Sequence, residues 1–272
     1  MLDMAANRFF ATFLLKLYNE RKAAEKDRSA GEVPADVFQL LIEAVEEGES
    51  ADKPAKQAVE GGEEDADIIH KELGDSNSAL SESKKRMSKV ELLAQSFLLL
   101  IAGYETTGST LHFMFNALAC HPEIQELLRE EILSVTGEEG EITHEHTTQM
   151  LYLNAVLQET LRMFPPAPRM NRECNEPLTL RGIRFEEDDT IGVPIYAIHY
   201  DPQYYPEPEK FDPERFTPEA RASRDPLTYL PFGYGPRNCI GMRLAEFEIR
   251  VVTATLLRKY RFAHAEKSPV RK

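Results

Sequence analysis

One stretch restricts the fold more than any other. Residues 88–119 read as a single helix, roughly 45 Å long at about 1.5 Å per residue. Ser88-Lys-Val-Glu91 has the spacing of a capping box, in which a hydroxyl and a carboxylate satisfy each other's backbone N–H groups. His121-Pro122 stops the helix. Leu92, Leu93, Phe97, Leu100, Leu111, Met114, Phe115 and Leu118 cover much of its circumference. A helix with so little polar face is expected to run through the centre of a domain. Its apolar run FLLLIAGY, residues 97–104, falls well short of the roughly 20 residues that span a bilayer. The middle of the helix, AGYETTG at 102–108, groups two glycines, an acid and two threonines where burial should be greatest. The glycines and threonines are poor helix formers.

The segments before it differ sharply in character. MLDMAANRFFATFLLKLYNERK carries Asp3 and no small-residue cleavage site, so it reads as an amphipathic helix over 7–28 and not as a secretory signal. Val37, Leu40, Leu41 and Ala44 then recur at helical spacing. Residues 43–75 hold twelve acids and three lysines, a net of −9, with almost no large apolar side chain. Residues 47–83 are therefore predicted to be a solvated, disordered acidic insertion. Much of the chain's formal charge of −14 is local to it. With 32 basic against 46 acidic residues, a nucleic-acid binder working through phosphate contacts is disfavoured.

After Pro122 a short helix carries Ile124, Leu127, Leu128 and Ile132. A second is predicted over 147–163, from Met150, Leu153, Val156, Leu157 and Leu161, ending at Pro165-Pro166. LTLRGIRF and TIGVPIYAI, within 178–198, read as strands, with Pro194 indicating an edge or a bulge. Residues 200–240 are rich in Pro, Gly, Asp and aromatics without a period, which marks a long functional loop. A last helix is predicted over 242–260. The fold class is mainly α with small β elements. At 272 residues and 42% hydrophobic content the chain can bury a core without a staple.

The densest chemical signal is PFGYGPRNCIG, residues 231–241. Gly233, Gly235 and Gly241 let a backbone approach a flat ligand. Cys239 lies just ahead of the last helix, where backbone N–H groups and the helix dipole favour a thiolate. Arg237 can pair with an acidic group on the same ligand. The residues alone leave a nucleophile, a metal ligand and a structural thiol open for Cys239. Cysteines 120, 174 and 239 are too few and too scattered for a disulfide scaffold or a four-thiolate site. Cys120 and Cys174 read as inert. His121, His144, His146 and His199 are set aside.

Two further constellations have a physical reading. Glu159 and Arg162 are three apart on one helix and can pair. Thr106 can return its hydroxyl to a backbone carbonyl or, facing a ligand, guide a proton, with Glu105 as the neighbouring acid. Ala102 has no side chain to obstruct a planar group.

Phe232-Gly-Tyr-Gly-Pro-Arg237-Asn-Cys239-Ile-Gly241 resembles the haem-binding loop Phe-x-x-Gly-x-Arg-x-Cys-x-Gly of the cytochromes P450 at every fixed position. Ala102-Gly-Tyr-Glu105-Thr106 resembles the oxygen-activation segment of that family's central I helix. Glu159-Thr-Leu-Arg162 resembles the Glu-x-x-Arg of helix K, and Pro213-Glu-Arg215-Phe216 the segment that supplies a third partner to that pair. The resemblance implies that Cys239 is the proximal thiolate ligand of haem iron. It further implies that Arg237 and Arg169 hold haem propionates and that Phe232, Gly233, Gly241 and Ala102 border the cofactor. Thr106 and Glu105 become the catalytic candidates. Arg215 is expected to complete a buried, bidentate charge network with Glu159 and Arg162. Ala167, Pro168 and Met170 would border the substrate. The flanking text is most similar to the animal microsomal group that oxidises drugs and steroids and includes thromboxane synthase.

By this resemblance the match is expected over about residues 7–263 and only to the C-terminal half of the family fold, a partial domain lacking the membrane anchor and the first helices. The implied cofactors are haem b and, through a reductase, NADPH. The implied reaction inserts one oxygen atom of O2 into a lipophilic substrate, with protons delivered past Thr106. Rearrangement of a lipid peroxide and a catalytically silent fragment are the alternatives. NADPH–cytochrome P450 reductase, cytochrome b5 and a lipophilic small molecule are the implied partners, with no nucleic acid. The implied location is the cytosolic face of the endoplasmic reticulum membrane, with no anchor in this chain.

Overall fold

The structure, a computed structural model, describes residues 4–26, 36–50 and 87–264. Its contacts divide the chain into two units, Met1–Ala102 and Gly103–Lys272.

The first unit holds α1 (Met4–Lys26), α2 (Val37–Ser50) and the first turns of α3 (Lys89–Cys120). The capping box at the start of α3 is present. The Glu91 N–H donates to Ser88 Oγ at 3.2 Å, and the Ser88 N–H donates to Glu91 Oε2 at 2.8 Å. Leu14, Ile42, Val45, Leu92 and Leu93 form a small buried core. Asp36 precedes α2 and accepts from the Gln39 N–H at 2.9 Å and from Arg21 Nη2 at 2.6 Å. The Gln39 N–H, and after it the Arg21 guanidinium, hold this carboxyl below its ordinary range. Of the acidic insertion expected over 47–83, residues 47–50 form the end of α2, and 51–83 lie outside the described residues.

The second unit continues α3 into α4 (Pro122–Thr136), α5 (His144–Gln149) and α6 (Leu151–Met163). Its core joins Met114 and Leu118 of α3 to Leu128, Ile132, Leu153 and Leu157. Each such side chain contributes about 1.5–3 kcal/mol by leaving water. Leu92 and Leu93 of α3 belong to the first core and Met114 and Leu118 to the second, and Leu98, Leu99, Leu100 and Tyr104 are exposed.

The single helix expected over 147–163 is also corrected. Met150, at φ −82° and ψ 83°, separates α5 from α6. Glu131 of α4 accounts for the break, because its carboxylate accepts the Tyr152 and Leu153 N–H groups at 2.7 and 2.8 Å. It thus caps the new helix start with a charge suited to the dipole.

Two antiparallel strand pairs follow. β1 (Met170–Glu173) pairs with β4 (Thr190–Val193), placing Met170 opposite Val193. β2 (Leu178–Leu180) and β3 (Ile183–Phe185) form a hairpin. Arg181 and Gly182, both at positive φ, make its two-residue turn, the geometry that matches strand twist. Pro194 ends β4 and opens α7 (Ile195–His199), so the strand expected through 198 stops at 193. Residues 200–240 contain only 3-10 turns at Pro213–Phe216 and Pro226–Thr228 and the short α8 (Pro218–Ala222). α9 (Met242–Lys259) completes the described elements.

Candidate cofactor site

The glycine loop ahead of α9 is tied by its own backbone. The Gly233 N–H donates to the Leu230 carbonyl at 3.0 Å, the Asn238 N–H to Gly235 at 3.0 Å, and the Cys239 N–H to Phe232 at 2.9 Å. Gly233 and Gly235 sit at φ 73° and 83°, where a side chain is strained. A Cβ on Gly233 would also meet Met170 Sδ at 3.3 Å. A side chain there would press the loop away from Met170 of β1. The turn leaves Cys239 exposed three residues before α9, with Gly241 as the helix N-cap.

Cys239 opens onto a cavity of about 280 Å³. Arg169, Arg237, Phe232 and Gly233 line it together with Thr106, Thr107 and Thr110 of α3. Leu161, Ile195 and Ile249 supply apolar wall. Thr110 is buried and donates its hydroxyl to the Thr106 carbonyl at 2.9 Å, a bond that tends to bend a helix. Glu105 is exposed beside Thr106 but does not line the cavity, and neither does Gly241. Ala102 is exposed at the end of the first unit. A larger cleft of about 830 Å³ lies near Asn154 and Tyr229. It holds no thiol, and its Arg250 and Glu246 already pair at 2.9 Å, so the smaller cavity is the chemical one.

Behind the loop, Arg162 makes a bidentate pair with Glu159, with Nε to Oε2 at 2.7 Å and Nη2 to Oε1 at 2.9 Å, both side chains fully buried. Arg162 also donates to the carbonyls of His199, Pro208 and Lys210. Arg215 does not join this pair in the bidentate way expected. Its Nε stands 3.5 Å from Glu159 Oε1, and its Nη2 donates instead to the Glu207 carbonyl at 3.0 Å. The reason is occupancy, since Oε1 already accepts from Arg162 and from the Asp212 N–H at 2.9 Å.

His199, set aside from sequence, belongs to this network. It is fully buried, with Nδ1 3.1 Å from the Arg162 carbonyl and Nε2 2.9 Å from the Leu230 N–H. Burial first, and the nearby Arg162 charge after it, push its pKa down to about 4, against the opposing pull of the Arg162 carbonyl. A lone histidine in an aperiodic segment carries no sequence mark of such a role. His146 serves the fold, accepting the Thr143 N–H at 3.2 Å in a capping box.

The residues present fit a haem. An exposed thiol at a helix start suits an iron ligand. Two guanidinium groups on one cavity suit two carboxylates. A missing Cβ at Gly233 and apolar walls suit a flat, greasy macrocycle.

Comparison with known proteins agrees with this chemistry. The family model described as Cytochrome P450 matches residues 1–272. A mouse protein, Cytochrome P450 3A41, is 42% identical over 194 residues, covering 71% of this chain and 38% of that protein. A rat protein, Cytochrome P450 3A9, is 36% identical over 235 residues, covering 86% of this chain and 45% of that protein. A human protein, Cytochrome P450 3A5, is 40% identical over 204 residues, covering 75% and 40%. The chain thus spans less than half the length of these curated relatives. The family match overturns the expectation of a partial domain confined to residues 7–263 and to the C-terminal half of the fold. It takes in α1 and α2 as well as the elements around Cys239, and the described elements are mainly α with small β pairs. The chain belongs to the cytochrome P450 family.

Proposed function

We propose that this chain carries the centre of a haem-thiolate monooxygenase, inserting one oxygen atom of O2 into a lipophilic substrate with electrons from an NADPH-fed reductase. The observation that carries this reading is the single cavity gathering Cys239, Arg169, Arg237 and Thr106. Cys239 holds the iron of haem b as a thiolate, and Arg169 and Arg237 pair with its propionates. Bound there, haem supplies the reductive chemistry of dioxygen that no side chain performs. The remaining tasks belong to the chain's own residues. The Thr106 hydroxyl holds a proton at the cavity wall, and Glu105, next to it and exposed, links that position to bulk water. Phe232 and Gly233 seat the flat group on the loop. Ala167, Pro168 and Met170 border the substrate, and the thioether lets that wall adapt to different lipophiles.

The electron donor is NADPH–cytochrome P450 reductase, with cytochrome b5 as a second donor. The working location is the cytosolic face of the endoplasmic reticulum membrane. No helix among the described residues is long and apolar enough to cross a membrane.

The test is spectroscopic. The haem-loaded chain is reduced, exposed to carbon monoxide, and its Soret band recorded. Cys239→Ser should lose the red-shifted thiolate band, while Cys120→Ser and Cys174→Ser should keep it. A thiolate band in Cys239→Ser removes the assignment.

A further inference from the structure

Away from the haem cavity, a second thiol has a base beside it. Cys120 is the last residue of α3 and is exposed. His264 Nε2 stands 2.8 Å from its Sγ, although the two residues are 144 apart in sequence. This approach is built by the residues around it. Gln125 clamps Phe262 on both sides, donating to its carbonyl at 3.0 Å and accepting its N–H at 2.7 Å. The Phe262 ring stacks on Phe115 of α3 with centroids 4.3 Å apart. Arg261 makes a bidentate pair with Glu126 at 2.9 and 3.0 Å. Five tied residues thus carry His264 to the end of α3. A helix C-terminus opposes a thiolate, and the imidazole stands where it can offset this. Both side chains are open to solvent.

We propose that Cys120 and His264 form a thiol–imidazole pair that makes Cys120 a redox-modification site for small disulfides of the glutathione class. The thiol gives its proton to His264 Nε2. Its sulfur then bonds to one sulfur of glutathione disulfide, and the disulfide bond of that molecule breaks. The departing glutathione sulfur leaves with the electron pair and recovers the proton from the imidazolium. Cys120 and one glutathione end as a mixed disulfide, and the other glutathione is reduced to its thiol. A reducing thiol reverses the step.

The experiment treats the full chain with glutathione disulfide and follows each cysteine by peptide mass. It needs no turnover, so its outcome is separate from that of the haem assignment. Cys120 should gain glutathione roughly tenfold or more faster in the parent chain than in His264→Gln or His264→Asn. Buried Cys174 should stay unmodified in all three, which reports an intact fold. Added imidazole should restore part of the rate in His264→Gly. Equal Cys120 rates in the parent and both amide variants, with Cys174 protected, overturn the proposal.

Discussion

The Leu230 N–H donates to His199 Nε2 at 2.9 Å. A backbone N–H can only donate, so this nitrogen carries no proton. The other ring nitrogen faces the Arg162 carbonyl, which can only accept, so the proton sits on Nδ1. The neutral imidazole is thereby a rigid link between the buried Glu159–Arg162 pair and Leu230, just ahead of the cysteine loop. The Leu230 N–H leaves no room for a second proton on Nε2.

That link makes stability depend on pH. The pKa of His199 is pushed down to about 4 from an ordinary 6.5. Between these values the unfolded chain binds a proton that the folded chain refuses, so stability rises with pH across this window. Its contribution is complete above about pH 6.5 and is lost as pH falls towards about 4, on the order of 3 kcal/mol in all. Urea unfolding at several pH values should show this slope in the parent and a shallower one in His199→Phe. At pH 7.5 that variant should also lose about 2–4 kcal/mol, because the Leu230 N–H and the Arg162 carbonyl lose their partner. Identical slopes would remove His199 from this role.

The Glu159–Arg162 pair gives a second expectation. Both side chains are fully buried, and Arg162 also satisfies three backbone carbonyls. Glu159→Gln leaves a buried guanidinium without its charge partner and should cost about 3–5 kcal/mol. Arg162→Met should cost at least as much, since the carbonyls are orphaned too. The double variant should lose clearly less than the two single losses added, because neither charge is then left alone. Additive losses in urea titrations would mean that the two residues act separately.

What the sequence made legible was what it kept contiguous. The cysteine loop packs its thiol, arginine and glycines into residues 232–241, and Glu159 and Arg162 face each other because a helix brings i and i+3 together. The long apolar helix and the capping box at Ser88 were readable for the same reason. What escaped depends on tertiary closure. His199 meets Arg162 across 37 residues and Leu230 across 31. Glu131 splits the helix expected over 147–163 by reaching Tyr152 from 21 residues away. The approach of His264 to Cys120 likewise spans 144 residues and leaves no local mark. Arg215 was placed on the right carboxylate, but with the wrong valency. No local pattern records that the Asp212 N–H already uses the same oxygen.

Gly233 separates two demands that glycines in such loops usually mix. Gly233 and Gly235 both hold positive φ, at 73° and 83°, so an alanine at either meets left-handed strain of about 1–2 kcal/mol. Only Gly233 has a neighbour in the way, because its added Cβ would lie 3.3 Å from Met170 Sδ, whereas nothing stands within 4 Å of Gly235. Met170 ends a flexible side chain and can yield, so the extra cost should be smaller than the strain. Yielding has a further consequence, since Gly233 follows Phe232, whose carbonyl holds the Cys239 N–H at 2.9 Å. A displaced loop therefore moves the thiol. Gly233→Ala should destabilise more than Gly235→Ala in urea unfolding without haem, and it should weaken haem uptake measured by Soret titration. Adding Met170→Ala should bring the Gly233→Ala penalty down to that of Gly235→Ala measured in the same Met170→Ala background. Equal penalties for the two glycines with Met170 in place would show that backbone strain alone fixes the choice of glycine at 233.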